Sequence, residues 1–166
     1  MVTEKRTIVN EKGTLIELQS TATAGALCRN LAQISLKGRT MPTRERVQAL
    51  IDLVEGGRYV EAIEAFYHED ASMQENLDPP RRGRNTLVGG EQRVIEAHRS
   101  IRTRPVHTFM VEGDRALINW VFAFVDHEGR AYTLDELAFQ LWRGERIVEE
   151  RFYYDPAQRA RRTAPG

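Results

Sequence analysis

Four histidines, His68, His98, His107 and His127, are the side chains of this sequence whose ordinary titration lies nearest neutral pH. His68 and His127 fall in turn-like stretches and are expected to be solvated, while His98 is placed on a helix. His107 sits on a strand-like run between Val106 and Phe109, where it could reach an interior as a proton carrier; a strand-surface histidine is the blander reading. No H-x-x-x-H spacing occurs, so no metal site is expected. There is no G-x-S-x-G, and the single cysteine, Cys28, allows neither an internal disulfide nor a Cys-based zinc site. Leu87-Val88-Gly89-Gly90-Glu91 lacks the spacing of a dinucleotide fingerprint, and no cofactor is expected. Arg81, Arg82 and Arg84 could meet an anionic substrate or form a solvated loop. Carboxylates remain. Glu75 closes the run Ala71-Ser72-Met73-Gln74-Glu75-Asn76. At the mouth of an apolar pocket desolvation would raise its pKa, which suits a general base near neutral pH. It could equally pair with Arg81, Arg82 or Arg84. Glu150 is a second candidate, or the partner of an arginine such as Arg143.

The chain has 166 residues and a formal net charge of zero. That length fits one domain with a sizeable core. The charge balance disfavours nucleic-acid binding. No apolar run approaches a membrane span, and Met-Val-Thr-Glu-Lys-Arg is followed by no long apolar stretch, so a soluble cytoplasmic protein without a secretory signal is expected.

The elements that must position these residues follow from periodicity. Thr43 can cap a helix running to Glu55, with Val47, Leu50, Ile51 and Val54 on one stripe. Gly56-Gly57 ends it. Arg58–Tyr67 reads as a second helix, and Ala71–Asn76 as a strand. Asp78-Pro79-Pro80 opens a loop over 77–90, and Glu91–Arg99 reads as a third helix. Arg104–Glu112 and Arg115–Asp126 are expected strands. Two aromatic and β-branched runs around Gly144-Glu145, within Ala131–Asp155, predict a long hairpin. The order ααβαββββ argues an α+β fold with a strongly curved antiparallel sheet around a helix and a ligand pocket at its open end. Trp120, Phe122, Phe124, Phe139 and Trp142 are expected in the core, the cavity lining or a dimer surface. Residues 1–42 form an extension with a short strand at Thr14–Leu18 and loose helical spacing over Ala22–Leu36. Either Met41 is the natural start or the extension packs on a partner subunit. Residues 156–166 are a polar tail expected to fray.

Four short motifs in order resemble a known family. They are Glu55-Gly56-Gly57-Arg58-Tyr59, Phe66-Tyr67-His68-Glu69-Asp70-Ala71, Val88-Gly89-Gly90-Glu91 and Arg146-Ile147-Val148-Glu149-Glu150. Over Thr43–Asp155 the chain resembles the nuclear transport factor 2-like superfamily, in the branch of SnoaL-like polyketide cyclases and ketosteroid isomerases. The resemblance implies a cone-shaped, cystatin-like α+β barrel. It covers isomerases, cyclases, dehydratases, epoxide hydrolases and proteins without chemistry, so the fold alone does not choose among them.

By this resemblance Glu75 stands where ketosteroid isomerases carry their proton-moving carboxylate. Such isomerases also use a helix-one tyrosine and a protonated acid on a later strand. Helix one offers Leu50, Ile51 and Leu53 instead, and the later acid falls near Leu137, with Asp135 and Glu136 in uncertain register. Cyclases of this branch place an acid about where Phe152 sits. The family register turns Val148, Glu150, Phe152 and Tyr154 inward and Ile147, Glu149, Arg151 and Tyr153 outward. The expected catalytic pair is therefore Glu75 and Glu150, with Tyr154, Phe152, His107, Phe139 and Trp120 lining the pocket. The implied function is cofactor-independent isomerisation, cyclisation or hydrolysis of a mostly apolar organic molecule, such as a cyclic ketone or polyketide-like compound. A non-catalytic ligand-binding or dimerisation module is the alternative. Either version implies a homodimer through the outer sheet face, with Ile147, Tyr153 and Trp142 as contacts, and no nucleic-acid or membrane partner.

Overall fold

The computed structural model describes residues 41–160 in full and, before them, the backbone of two strands. These are β1 (Lys5–Val9) and β2 (Leu15–Gln19), an antiparallel pair in which Ile8 lies opposite Ile16. The strand expected at Thr14–Leu18 is β2; β1 was not foreseen. The helical spacing at Ala22–Leu36, with Cys28, lies outside the described residues. The chain divides into two compact units, Met1–Arg39 and Thr40–Gly166.

In the second unit, α1 (Arg44–Glu55) begins where the Arg46 amide donates to Thr43 Oγ1 at 3.1 Å. Its stripe of Val47, Leu50, Ile51 and Leu53 is buried. The second helix, α2 (Tyr59–Phe66), buries Ala62, Ile63 and Phe66 and runs without a loop into β3 (Tyr67–Glu75). Arg81-Arg82, expected as exposed loop, is a short edge strand, β4, paired with Ser72 and Met73. The third helix, α3 (Arg84–Glu96), starts earlier than its apolar spacing suggests and runs through Gly89 and Gly90. Glycine at 90 has a packing reason: a Cβ there would sit 2.9 Å from Arg81 Nη1, so its absence makes room for that guanidinium.

The remaining strands are β5 (His98–Thr103), β6 (Phe109–Glu112), β7 (Arg115–Asp126), β8 (Ala131–Arg143) and β9 (Arg146–Tyr153). The single strand expected over Arg104–Glu112 is therefore replaced by β5 and β6, both against β7 and separated around Pro105, which has no amide to donate. This shift moves His98 from a helix to the start of β5 and leaves His107 exposed between strands. Sheet order is β4-β3-β9-β8-β7-β5, with β6 also on β7. The sheet is mixed and not purely antiparallel, because β3 and β9 are parallel. It curls strongly into a half-barrel with the helices, the α+β cone expected. Gly144, at φ 63°, makes the tight β8–β9 turn.

One irregularity corrects the expected register of β9. Leu141 faces Glu149 but Trp142 faces Ile147, so Val148 is an extra residue, a β-bulge. Ile147 thereby joins Glu150 and Phe152 on the inner face. Ile147 (0% exposed) and Trp142 (2%) are core residues, not dimer contacts. The described part of the tail, 156–160, departs from expectation, while 161–166 lie outside the described residues. Asp155 caps a 3₁₀ turn, Pro156–Arg159, and Gln158 exchanges two hydrogen bonds with the Asp135 backbone, at 2.8 and 3.0 Å. No helix among the described residues is long and apolar enough to cross a membrane.

Ile147→Ala is expected to cost about 2–5 kcal/mol in urea unfolding, the range for emptying a fully buried aliphatic site. A surface position would lose well under 1 kcal/mol, roughly.

Candidate active site

The inner face of the sheet and the three helices line a partly open cavity of about 280 Å³. Leu50 and Val54 of α1, Ala62 and Ile63 of α2 and Leu134 of β8 make its walls apolar, and Trp120, Phe122 and Phe124 come from alternate positions of β7. Four carboxyl groups reach it: Glu75 from β3, Glu91 from α3, Glu136 from β8 and Glu150 from β9.

Glu150 is 3% exposed and held at both oxygens. Tyr67 donates its phenol to Oε2, and Gln140 Nε2 donates to Oε1 at 2.7 Å. The orientation of Gln140 is imposed in turn. The Trp142 indole N–H can only donate, and it does so to Gln140 Oε1 at 3.1 Å, which leaves the amide nitrogen facing Glu150. Tyr67, Gln140 and Trp142 are all at least nine-tenths buried, and among the described residues every side-chain polar atom that is fully cut off from solvent has a partner. Burial pushes Glu150 up to about 7, while the hydrogen bonds from Gln140 and Tyr67 pull the other way. Burial and the neighbouring Glu150 charge hold the Tyr67 phenol well above its ordinary range. A carboxylate oriented at both oxygens and poised near neutrality is suited to take and return a proton.

Glu136 solves the same burial differently. It is 6% exposed, and among the described residues the hydrogen bond it receives, from Asn119 Nδ2, goes to its backbone carbonyl and not to its carboxyl group. Burial first, then the Glu75 and Glu150 charges, push it up to about 8, so it carries a proton at neutral pH. Glu75 is an ion pair: Arg81 Nη2 lies 3.1 Å from one oxygen and Arg159 Nη2 3.5 Å from the other. Burial raises Glu91 as well, against the pull of Arg81.

The sequence-predicted residues therefore part company. Glu75, Glu150, Phe152 and Trp120 line one cavity. Tyr154 is not in the wall but stands beside Glu75, and burial and that carboxylate raise its phenol far above the ordinary range. His107 does not reach the cavity, because the segment after Pro105 leaves the sheet. Phe139 does not either. It is 41% exposed on the outer face of β8, where odd-numbered residues point away from Leu134, Glu136, Ala138 and Gln140. Glu136, Glu91, Tyr67, Gln140 and Arg159 were not among the predicted site residues. Parity on β8 could have indicated Glu136, but both faces of that strand carry apolar residues.

The profile of the SnoaL-like domain matches residues 47–150. The chain belongs to the SnoaL-like family. No curated protein matches it. Among solved structures, this SnoaL-like chain is similar to a candidate SnoaL-like polyketide cyclase from Mesorhizobium loti, with TM-score 0.55 and 24% identity over 66% of this chain and 97% of that one. A nuclear transport factor 2-like protein of unknown function from Burkholderia pseudomallei gives 0.61 and 16% identity, over 70% and 93% of the two chains. An LEH-like epoxide hydrolase of M. tuberculosis gives 0.56 and 14%, over 69% and 83%. These identities establish a shared fold, with different chemistries named on it.

The raised acids predict a pH dependence of stability. Below about 4.5 Glu136 is protonated whether or not the chain is folded; from there to about 8 the folded chain keeps a proton that the unfolded chain has released. The stability this contributes is therefore lost as pH rises through that window. Glu136→Gln should unfold in urea with a visibly shallower pH slope than the wild type. An unchanged slope would place the group outside the buried cavity.

Proposed function

We propose that this SnoaL-like chain binds a mostly apolar organic molecule in the cone and moves a proton on it without a cofactor, as an isomerase, cyclase or hydrolase. The observation that carries the reading is the meeting, in one apolar cavity, of a doubly oriented Glu150 near neutrality and a proton-bearing Glu136. Two carboxyl groups raised into the neutral range, one held by two donors and one without them, are groups that acid/base chemistry can use. Glu150 takes a proton from substrate carbon or from water. Glu136 gives one to a substrate heteroatom, and the same groups return the protons in reverse roles. Glu75, expected as the base, is assigned instead to the mouth. Its two guanidinium partners hold it as a counter-ion and tie the C-terminal turn to β3. Tyr154 supports Glu75. A binding module without chemistry would not need a buried acid at each of two neutral-pH settings.

The proposal includes a homodimer through the outer sheet face. Leu137, Phe139 and Tyr153 are 43%, 41% and 44% exposed there, and Leu137 and Tyr153 are direct cross-strand neighbours. An apolar sheet face of this kind normally meets a partner.

Two outcomes are expected. With a panel of ketones, enones, lactones and epoxides, Glu150→Gln should lower turnover of any accepted substrate by about 100-fold or more with folding intact; unchanged turnover removes Glu150 from the chemistry. In light scattering at micromolar concentration the wild type should be a dimer and Phe139→Glu a monomer. A monomeric wild type would refute the interface.

A further inference from the structure

Acidic groups outnumber basic ones around the cavity. Glu75, Glu91, Glu136 and Glu150 face it, against two guanidinium groups, Arg81 and Arg159, both already engaged by Glu75. Glu150 has its two hydrogen-bond donors. Glu136 has none, yet it is 94% buried, on its 6% exposure, and lies in the cavity wall. Directly across from it on β7 is Trp120. Trp120, Phe122 and Phe124 form a continuous ring wall, with centroids 6.0 and 6.1 Å apart, and Tyr59 closes it edge-on to Phe122 at 6.3 Å. The Tyr59 hydroxyl is spent on Thr103 Oγ1, whose own proton goes to the Val54 carbonyl, so Tyr59 offers the cavity its ring. An excess of acid beside aromatic faces complements a cation.

We propose that the substrates of this site are apolar molecules carrying a basic nitrogen, bound as the ammonium ion between the aromatic wall and the Glu136 carboxylate. This rests on the reading of the cavity as the ligand site and names the heteroatom that Glu136 meets. A neutral amine entering the cavity takes the Glu136 proton: the carboxyl O–H bond breaks, an N–H bond forms, and an ammonium–carboxylate pair remains. A neutral oxygen would leave the new carboxylate facing the other acids uncompensated, and an anion would be repelled by them. Of the charged groups facing Glu136, Glu75 of β3, Glu91 of α3 and Glu150 of β9 oppose its ionisation, and Arg159 of the C-terminal turn favours it. The lining residues of α1 and α2 add no charged group, Tyr59 being their one titratable side chain. A ligand cation supplies what Glu136 lacks.

The test uses the full chain with benzyltrimethylammonium, whose charge does not titrate, and its neutral carbon isostere neopentylbenzene. Binding is followed by calorimetry and tryptophan fluorescence. The cation should bind about tenfold or more tightly than the isostere at neutral to mildly basic pH. Its affinity should rise as pH approaches about 8, where Glu136 ionises. Heats measured in phosphate and in Tris should differ by the release of a proton at neutral pH. Glu136→Gln, shown to be folded by circular dichroism, should abolish that release and lose most of the preference for the cation. Equal or weaker binding of the cation, binding of neither probe, or a pH-independent affinity overturns the proposal, and these comparisons on the wild type need no variant. The Glu150→Gln turnover test is separate. Turnover of neutral substrates lost in Glu150→Gln, with no cation preference, would sink the nitrogen assignment alone. Cation preference with turnover unaffected would sink the acid/base reading alone.

Discussion

A carboxyl group enclosed by apolar side chains needs donors, a counter-ion or a proton, because an ionised oxygen away from water is otherwise too costly. The cavity of this protein shows all three answers within one wall. Glu150 is given donors by Tyr67 and Gln140. Glu75 is given the guanidinium groups of Arg81 and Arg159. Glu136 is given neither and keeps its proton. The same residue type therefore stands in three electrostatic settings within one cavity.

The division depends on backbone devices some way from the carboxyl groups. The bulge at Val148 lets Ile147 fill the core while Glu150 and Phe152 still face the cavity. Without the extra residue, strict alternation would send one of these sets outward. Arg81 lies on the two-residue strand β4 and fits against α3 because residue 90 has no side chain. Arg159 is delivered by the 3₁₀ turn that Gln158 clamps to the backbone of β8. Trp142 acts through Gln140: its one-way donor chooses which end of the amide meets Glu150.

The fold itself is permissive. The structures that share it include a candidate polyketide cyclase and an epoxide hydrolase, so different chemistries are named on one cone and the residues lining it, not the fold, distinguish them. In this chain the lining is acidic and aromatic, and no histidine is in it.

The helices, the long C-terminal hairpin, the α+β class and the family were legible in the sequence. Each rests on local signals: the apolar stripe after Thr43, the Gly144 turn, and short motifs in a fixed order. Glu75, Glu150 and Phe152 were placed at the pocket by family position and Trp120 as an aromatic residue on a strand, and all four line the cavity. The rest was decided by pairing between distant strands. Whether Asp135, Glu136 or Leu137 faces inward is a matter of parity on β8, where Leu134 and Ala138 on one face and Leu137 and Phe139 on the other are equally apolar, so no sequence pattern favours either. The strand expected over Arg104–Glu112 ran straight through Pro105, and only the separate pairing of β5 and β6 with β7 showed the break that removes His107 from the cavity. A polar tail looks like fraying chain until Gln158 finds the edge of β8. The sequence by itself determined the helices and the C-terminal hairpin, since these are governed by neighbours a few residues away; the tertiary structure alone decided the short strands, which carboxyl groups meet and which of them receive a partner, because pairing, burial and charge are set by residues far apart in the chain.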